Sequence, residues 1–230
     1  MFANYDFDVI WRSLPYLFYQ GMTFTLLLTA LATFGGIVIG TLLALMRLSG
    51  TAVLTLPAAA YVNLMRSVPF VLMIFWFYFL VPYIGQWITR SAQPLQVGAF
   101  ASCLVTFTLF EAAFFCEIMR AGIQSIPRGQ MAAAQALGMT YPTTMGYIVL
   151  PQAFRNMVPV LLTQTIILFQ DTSLVYVISV TDFLGAASKV AERDGRLVEM
   201  YTFAAVVYFI ISLAASRTVA HLQRRIAIIR

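Results

Sequence analysis

Residues 120–156 read RAGIQSIPRGQMAAAQALGMTYPTTMGYIVLPQAFRN, the least hydrophobic long stretch of a 230-residue chain that is otherwise mostly apolar. The stretch is too polar to cross a bilayer, yet it lacks the Gly/Ser/charge composition of a flexible linker. Pro127 suits the opening of a helix, because its missing N–H would be unpaired in the first turn anyway. The run Arg128 to Leu137 is rich in Ala, Gln, Met and Leu, all strong helix formers. Gly138 then supplies the residue that most easily takes the left-handed conformation at a helix end. Pro142 opens a second short helix running toward Leu150, where Pro151 is expected to interrupt it. The segment therefore reads as a compact helix–turn–helix. Its first helix carries Ala132, Ala133, Ala134 and Ala136, so a partner protein can approach its backbone closely. Such a helix buries little within its own chain, which favours a docking element over a plain loop.

Outward from this stretch, the chain is built of long charge-poor intervals. Hydrophobic residues make up 61% of it and charged residues only 10%, against about 45–50% and about 25% in soluble domains. So little charge cannot cover a water-exposed surface, which excludes an ordinary soluble domain and a disordered segment. The net charge of +5 does not indicate nucleic acid, because the 14 basic residues are spread singly rather than clustered. The solvent of this chain is lipid. A membrane-spanning helix needs about 20 apolar residues, so the length holds roughly five or six. The intervals poorest in charge give five: Gly21 to Leu45, Tyr61 to Tyr83 with Arg66 near its start, Val97 to Ile118 with Glu111 and Glu117, Met157 to Ser179 with Asp171, and Tyr201 to Val219 with Arg217 near its end. The fold class expected is an all-α polytopic membrane protein, a single transmembrane domain over residues 1–230 with a cytoplasmic loop at 120–156.

Basic residues are retained on the cytoplasmic side. With the N-terminus outside, the inner segments hold nine of them, from Arg47 to Arg230, and the outer segments hold five: Arg12, Arg90, Lys189, Arg193 and Arg196. The N-out, C-in arrangement follows, and it puts 120–156 in the cytoplasm. Asp6 and Asp8 precede Arg12, unlike the basic start of a cleaved signal. Cys103 and Cys116 lie 13 positions apart on one apolar helix, beyond disulfide reach, and read as ordinary thiols.

Ala132-Ala133-Ala134, Gly138 with nine residues between it and Ile148, and the ending Ile148-Val149-Leu150-Pro151 resemble the EAA loop of permease subunits of ATP-binding-cassette importers. Ala132 stands where that family has its leading Glu, so the Glu's polar contact is not carried over. Arg66-Ser67-Val68-Pro69 resembles the R-G-T-P element of polar amino acid permeases. Glu117-Ile118-Met119-Arg120-Ala121-Gly122-Ile123 followed by Gly129-Gln130 resembles their E-x-x-R-G-G/A-I…G-Q block, and Asp171-Thr172-Ser173-Leu174-Val175 their K-D/N-T/S-S-L-V segment, with Gln170 in place of Lys. The wording around these blocks is most similar to glutamate/aspartate permease subunits.

The resemblance implies a type I importer fold, a bacterial inner-membrane location and a set of partners. These are a second, paralogous permease subunit, two ATP-binding subunits and a periplasmic amino-acid-binding protein. It also implies that Gly129, Gln130, Ala132, Ala133, Ala134, Gly138, Ile148, Leu150 and Pro151 couple the ATPase to the membrane domain. No P-loop of the form G-x-x-x-x-G-K-[ST] is present, so ATP and Mg²⁺ are expected on the ATPase partner. No cofactor is expected on this chain.

Candidates for the translocation path come from polar groups in the spans: Arg66, Glu111, Asp171, Thr172 and Ser173. A charge at the bilayer centre costs at least about 2.5–3.5 kcal/mol, so each needs a partner, water or a proton. Glu111 and Asp171 either line the path or are neutralised in packing. Glu111 and Glu117 lie about 240° apart around a helix and cannot share a face. Glu117 and Arg120, three apart, read as a local ion pair. Two acids oppose an acidic substrate, and Arg66 is the cation best placed to receive one. Gly35, Gly36 and Gly40 form a small-residue face suited to helix packing, within the chain or with a partner. Phe75 to Phe79 reads as lipid-facing bulk, His221 as a surface residue, and Arg224-Arg225 as a headgroup anchor. One histidine outside the spans and no H-E-x-x-H count against a membrane hydrolase or a catalytic metal. A secondary transporter or channel subunit remains open from composition, although no internal repeat is present.

Overall fold

The computed structural model describes residues 5–226. Their regular structure is helical throughout, in eight helices: α1 (Phe7–Leu48), α2 (Ala52–Ser67), α3 (Phe70–Thr89), α4 (Ala99–Gln124), α5 (Arg128–Ala136), α6 (Tyr141–Ile178), α7 (Phe183–Asp194) and α8 (Leu197–Ile226). Five of them, α1, α3, α4, α6 and α8, are long and apolar enough to cross a membrane. The all-α, five-span architecture expected from the charge-poor intervals is the one observed. α4 is central, with α1, α2, α3 and α6 all packed on it.

Small residues explain the closest contact. The α1 glycines face α4 within the same chain. A Cβ at Gly40 would lie 2.9 Å from the Ala112 carbonyl oxygen and 3.0 Å from the Cys116 nitrogen. At Gly36 it would lie 3.0 Å from the Phe115 ring. Without side chains there, the two helices approach backbone to backbone, and Phe107, Phe115 and Cys116 of α4 are buried in the resulting core.

Proline accounts for the differences in helix boundaries. The expected span Tyr61 to Tyr83 is two helices, because Pro69 forces Val68 into an extended conformation (φ −108°, ψ 135°) that ends α2. The membrane-length piece is α3. Conversely, Pro151 does not stop a helix. A π-helical segment, Met145–Val149, precedes it, and the Leu150 N–H donates to the Met145 carbonyl five residues back. The wider turn relieves the clash that a proline ring makes with the carbonyl four residues earlier. α3 uses the same device, with the π segment Trp76–Leu80 two residues before Pro82. The second helix of the loop is therefore the beginning of α6, which continues for 38 residues. α1 likewise starts at Phe7, well before Gly21, and passes Pro15 into a π segment, Leu17–Met22.

That first π segment receives α7. Gly21 comes so close to the start of α7 that a Cβ would meet Ala186 and Phe183 at 2.9 Å. Thr25 Oγ1 accepts the Phe183 N–H at 3.1 Å. A second apolar cluster forms here from Val9, Leu17 and Met22 of α1, Phe169 of α6, Phe183 and Val190 of α7, and Met200 of α8. Asp182 caps α7, accepting N–H groups from Leu184 at 3.0 Å and Gly185 at 2.9 Å. Burial pushes its carboxyl up to about 6 despite those donors. Cys103 and Cys116 are free and buried, as their spacing requires.

Candidate coupling loop and translocation face

α5 begins after Pro127, whose carbonyl accepts the Gln130 N–H at 3.0 Å. It ends in a tight cap. Gly138 donates to the Gln135 carbonyl at 2.9 Å, and Met139 donates to the Ala134 carbonyl at 3.1 Å. This pairing needs a left-handed residue at the corner, and Gly138 has φ +79°. Ala134 is buried against the start of α6, whereas Gly129, Gln130, Ala132, Ala133 and Gly138 are exposed. Leu137 and Tyr147 are 83% and 80% exposed, which leaves large apolar side chains on the outer surface of the loop. Ile148, Leu150 and Pro151 belong to α6 and to its π segment. The corner at Gly138 thus joins the small-residue helix directly to a membrane-length rod.

The expected ion pair between Glu117 and Arg120 is present, at 2.7 Å. Two further arginines from distant sequence converge on the same carboxylate: Arg47 of α1 is hydrogen-bonded to it, and Arg66 of α2 lies 3.9 Å away. The Arg66 guanidinium also stands over the Phe114 ring at 5.5 Å. Glu117 therefore ties α1, α2 and α4 together at one end of the bundle. Glu117→Gln leaves three cations without their shared counter-charge. We expect a destabilisation of about 1–3 kcal/mol, read as a lower thermal midpoint of the purified chain, and partial recovery when Arg47→Gln is added. An unchanged midpoint in Glu117→Gln would remove this tie from the structure's account.

Glu111 points the other way around α4, as its separation from Glu117 requires. It is fully buried and accepts a hydrogen bond from Gln164 Nε2 of α6 at 3.1 Å. Asp171 is half-buried at the point where α6 tightens into its terminal 3₁₀ segment, Thr172–Ile178. Thr172 is buried and donates to the Phe169 carbonyl at 2.7 Å. Ser173 lines an open groove between α6 and α8 with Gln170, Tyr208, Ser212 and Ser216, where Gln170 Nε2 donates to Ser212 Oγ at 2.9 Å. Asp171, Thr172 and Ser173 thus lie together near the end of α6, whereas Arg66 sits with Glu117. Sequence reading named Thr172 and Ser173 but missed the neutral polar groups earlier in α6. Thr163 and Gln170 are exposed seven residues apart, on the same face as exposed Val160 and Ile167. The signal available was the density of amides and hydroxyls in an otherwise apolar span.

The aromatic run keeps Trp76 and Phe79 exposed, and Trp11, Phe34 and Trp87 are exposed as well. His221 is exposed near the end of α8.

Comparison with known proteins agrees with this architecture. The family described as "Binding-protein-dependent transport system inner membrane component" matches residues 36–228. The glutamate/aspartate import permease protein GltK of Escherichia coli O157:H7 is 53% identical over 224 residues, covering 97% of this chain and 99% of that protein. The glutamine transport system permease protein GlnP of Escherichia coli strain K12 is 32% identical over 226 residues, covering 98% and 100%. Among solved structures, a crystal structure of an amino acid ABC transporter with histidines superposes with a TM-score of 0.85 at 31% identity, over 96% of this chain and 98% of that one. The chain is thus a multi-pass membrane protein that belongs to the binding-protein-dependent transport system inner membrane components.

Proposed function

We propose that this chain is the permease subunit of an ATP-driven importer of glutamate and aspartate. The observation that carries the substrate assignment is the 53% identity, over nearly the whole length of both chains, to a glutamate/aspartate import permease. The loop geometry supports the coupling role. ATP and Mg²⁺ act on two ATP-binding subunits. A second, paralogous permease completes the path, and a periplasmic binding protein delivers the amino acid. The N-terminus lies outside and the C-terminus in the cytoplasm, which places α5 against the ATPase.

Closure of the ATPase pair moves α5. The tight corner at Gly138 passes that motion to α6 with little slack, because α6 continues to Ile178 without a break. The face of α6 that carries Thr163, Gln170 and Ser173 then lines the route, with Asp171 and Thr172 near one end of it. Glu111, covered by Gln164, sets the position of α6 rather than presenting a bare carboxylate to the substrate. That arrangement lessens the repulsion two acids would exert on an acidic amino acid. Arg66, half-exposed, supplies cationic character at the inner end.

The test is reconstitution of the assembled importer in vesicles with its binding protein. Glutamate- or aspartate-loaded binding protein is expected to stimulate ATP hydrolysis and uptake. Stimulation by histidine or arginine but not by glutamate would overturn the substrate assignment. Uptake by this chain alone, without ATP, would overturn the importer reading.

A further inference from the structure

Behind the start of α5 lies a cavity of about 590 Å³, within the size range of small-molecule sites, which shares only Gln130 with the coupling residues named above. Three elements wall it: Gln130 of α5; Gln152, Arg155 and Asn156 of α6; and Gln223 of α8. Ser125 closes the side toward α4. Among the described residues no carboxylate lines it and Arg155 makes no ion pair. The amides are oriented by bonds within the chain. Asn156 Nδ2 donates to Ser125 Oγ at 2.8 Å, and Gln152 Nε2 donates to the Ile148 carbonyl at 2.8 Å. Each bond fixes the plane of its amide and leaves the carbonyl oxygen free to accept, with one N–H over.

An unpaired guanidinium beside amide oxygens is complementary to a zwitterion. The guanidinium takes a carboxylate with paired donors, and the amide oxygens take an ammonium. We propose that this cavity is an inner-face binding site for an α-amino acid, specifically the acidic amino acid that the importer delivers, and that its occupancy slows the ATP-driven cycle. The identity of the ligand rests on the glutamate/aspartate assignment above. The effect on turnover rests on position: one wall is Gln130 at the beginning of the coupling helix, and the other walls are α6 and α8. A ligand that bridges all three binds best to the arrangement seen here and shifts the population toward it. Movement of α5 and α6 together, relative to α8, must then break the ligand's contacts.

The experiment uses the assembled importer in vesicles with its ATPase subunits facing outward and loaded binding protein enclosed, so the cytoplasmic face meets the bath. L-glutamate, L-aspartate, and glutarate (which lacks the ammonium) are titrated outside, in neutral vesicles and in vesicles containing phosphatidylglycerol. L-glutamate or L-aspartate is expected to lower ATP hydrolysis about fivefold or more in both lipids, with glutarate weaker. Arg155→Gln and, independently, Gln223→Leu are expected to bring the ratio of rates with and without external glutamate close to one. Arg155→Lys keeps part of the inhibition. No inhibition in the unaltered importer, or equal inhibition in Arg155→Gln, overturns the proposal. A response to phosphatidylglycerol content in place of amino acid also overturns it and makes the cavity a headgroup site. If the enclosed binding protein stimulates hydrolysis only with a different amino acid, the glutamate/aspartate assignment fails, and that amino acid added outside then reads this site separately.

Discussion

Gly138→Val is expected to abolish binding-protein-stimulated ATP hydrolysis and uptake while leaving the chain folded in the membrane. Gly138 has φ +79°, and no atom lies within 4 Å of the position its Cβ would take. The cost is therefore one of backbone conformation rather than of collision. A left-handed conformation costs an ordinary residue roughly 1–2 kcal/mol, and a β-branched residue is a marked outlier there. That is enough to open a corner held by two hydrogen bonds, from Gly138 to Gln135 and from Met139 to Ala134. It does not disturb spans packed elsewhere. With the corner open, α5 moves independently of α6. Gly138→Asn should retain much of the activity, because asparagine tolerates this conformation. Membrane extraction with size-exclusion profiles checks folding, and stimulated ATP hydrolysis checks coupling. Normal stimulation in Gly138→Val would show that a rigid corner is not required.

Gly40→Leu is expected to do the reverse and remove the folded protein altogether. The Cβ at this position meets the Ala112 carbonyl oxygen at 2.9 Å and the Cys116 nitrogen at 3.0 Å, both on the backbone of α4. Side chains can rotate away from an intruder, but a helix backbone buried among four neighbours cannot. Overpacking usually costs about 1–3 kcal/mol, and here α1 and α4 must separate along their whole contact, so the loss should exceed that range. The yield of monodisperse protein in detergent is the measurement. Gly98→Ala is the comparison, since nothing lies within 4 Å of that position, and it should leave the yield unchanged. Comparable yields for Gly40→Leu and Gly98→Ala would mean that the α1–α4 contact does not hold the bundle.

Much of this was legible in the residues. Scarce charge is a direct consequence of a lipid solvent, so the charge-poor intervals gave the number of spans, with the second displaced toward the N-terminus of its true position at Phe70–Thr89. The corner at Gly138 was legible because so few residues adopt a left-handed conformation, and the Glu117–Arg120 pair because three positions along a helix bring side chains together. What escaped reading depends on distant partners. Arg47 and Arg66 reach Glu117 only through packing of α1 and α2 on α4, and nothing local announces that. The glycines of α1 were legible as a packing face, but the sequence does not say which helix fills it. Proline misled in both directions. Pro69 breaks a helix because nothing accommodates it, whereas Pro82 and Pro151 are accommodated by π turns formed before them. Gln164, Gln170 and Thr163 escaped because a search for charge passes over neutral groups, which a membrane also tolerates only where they have partners or water.

The second apolar cluster has a consequence for how the chain is made. Val9 and Leu17, near the start of the chain, find their partners in Phe183, Val190 and Met200, near its end. Arg12 pairs with Asp194 at 3.0 Å, and the Asp6 N–H reaches the Glu199 carboxylate at 3.4 Å. The early part of α1, around Val9 and Leu17, thus waits for α7 and α8 before its apolar side chains are covered. A chain that stops after four spans keeps the contact of α1 with α4 but lacks the closure that joins Val9 and Leu17 to α7 and α8.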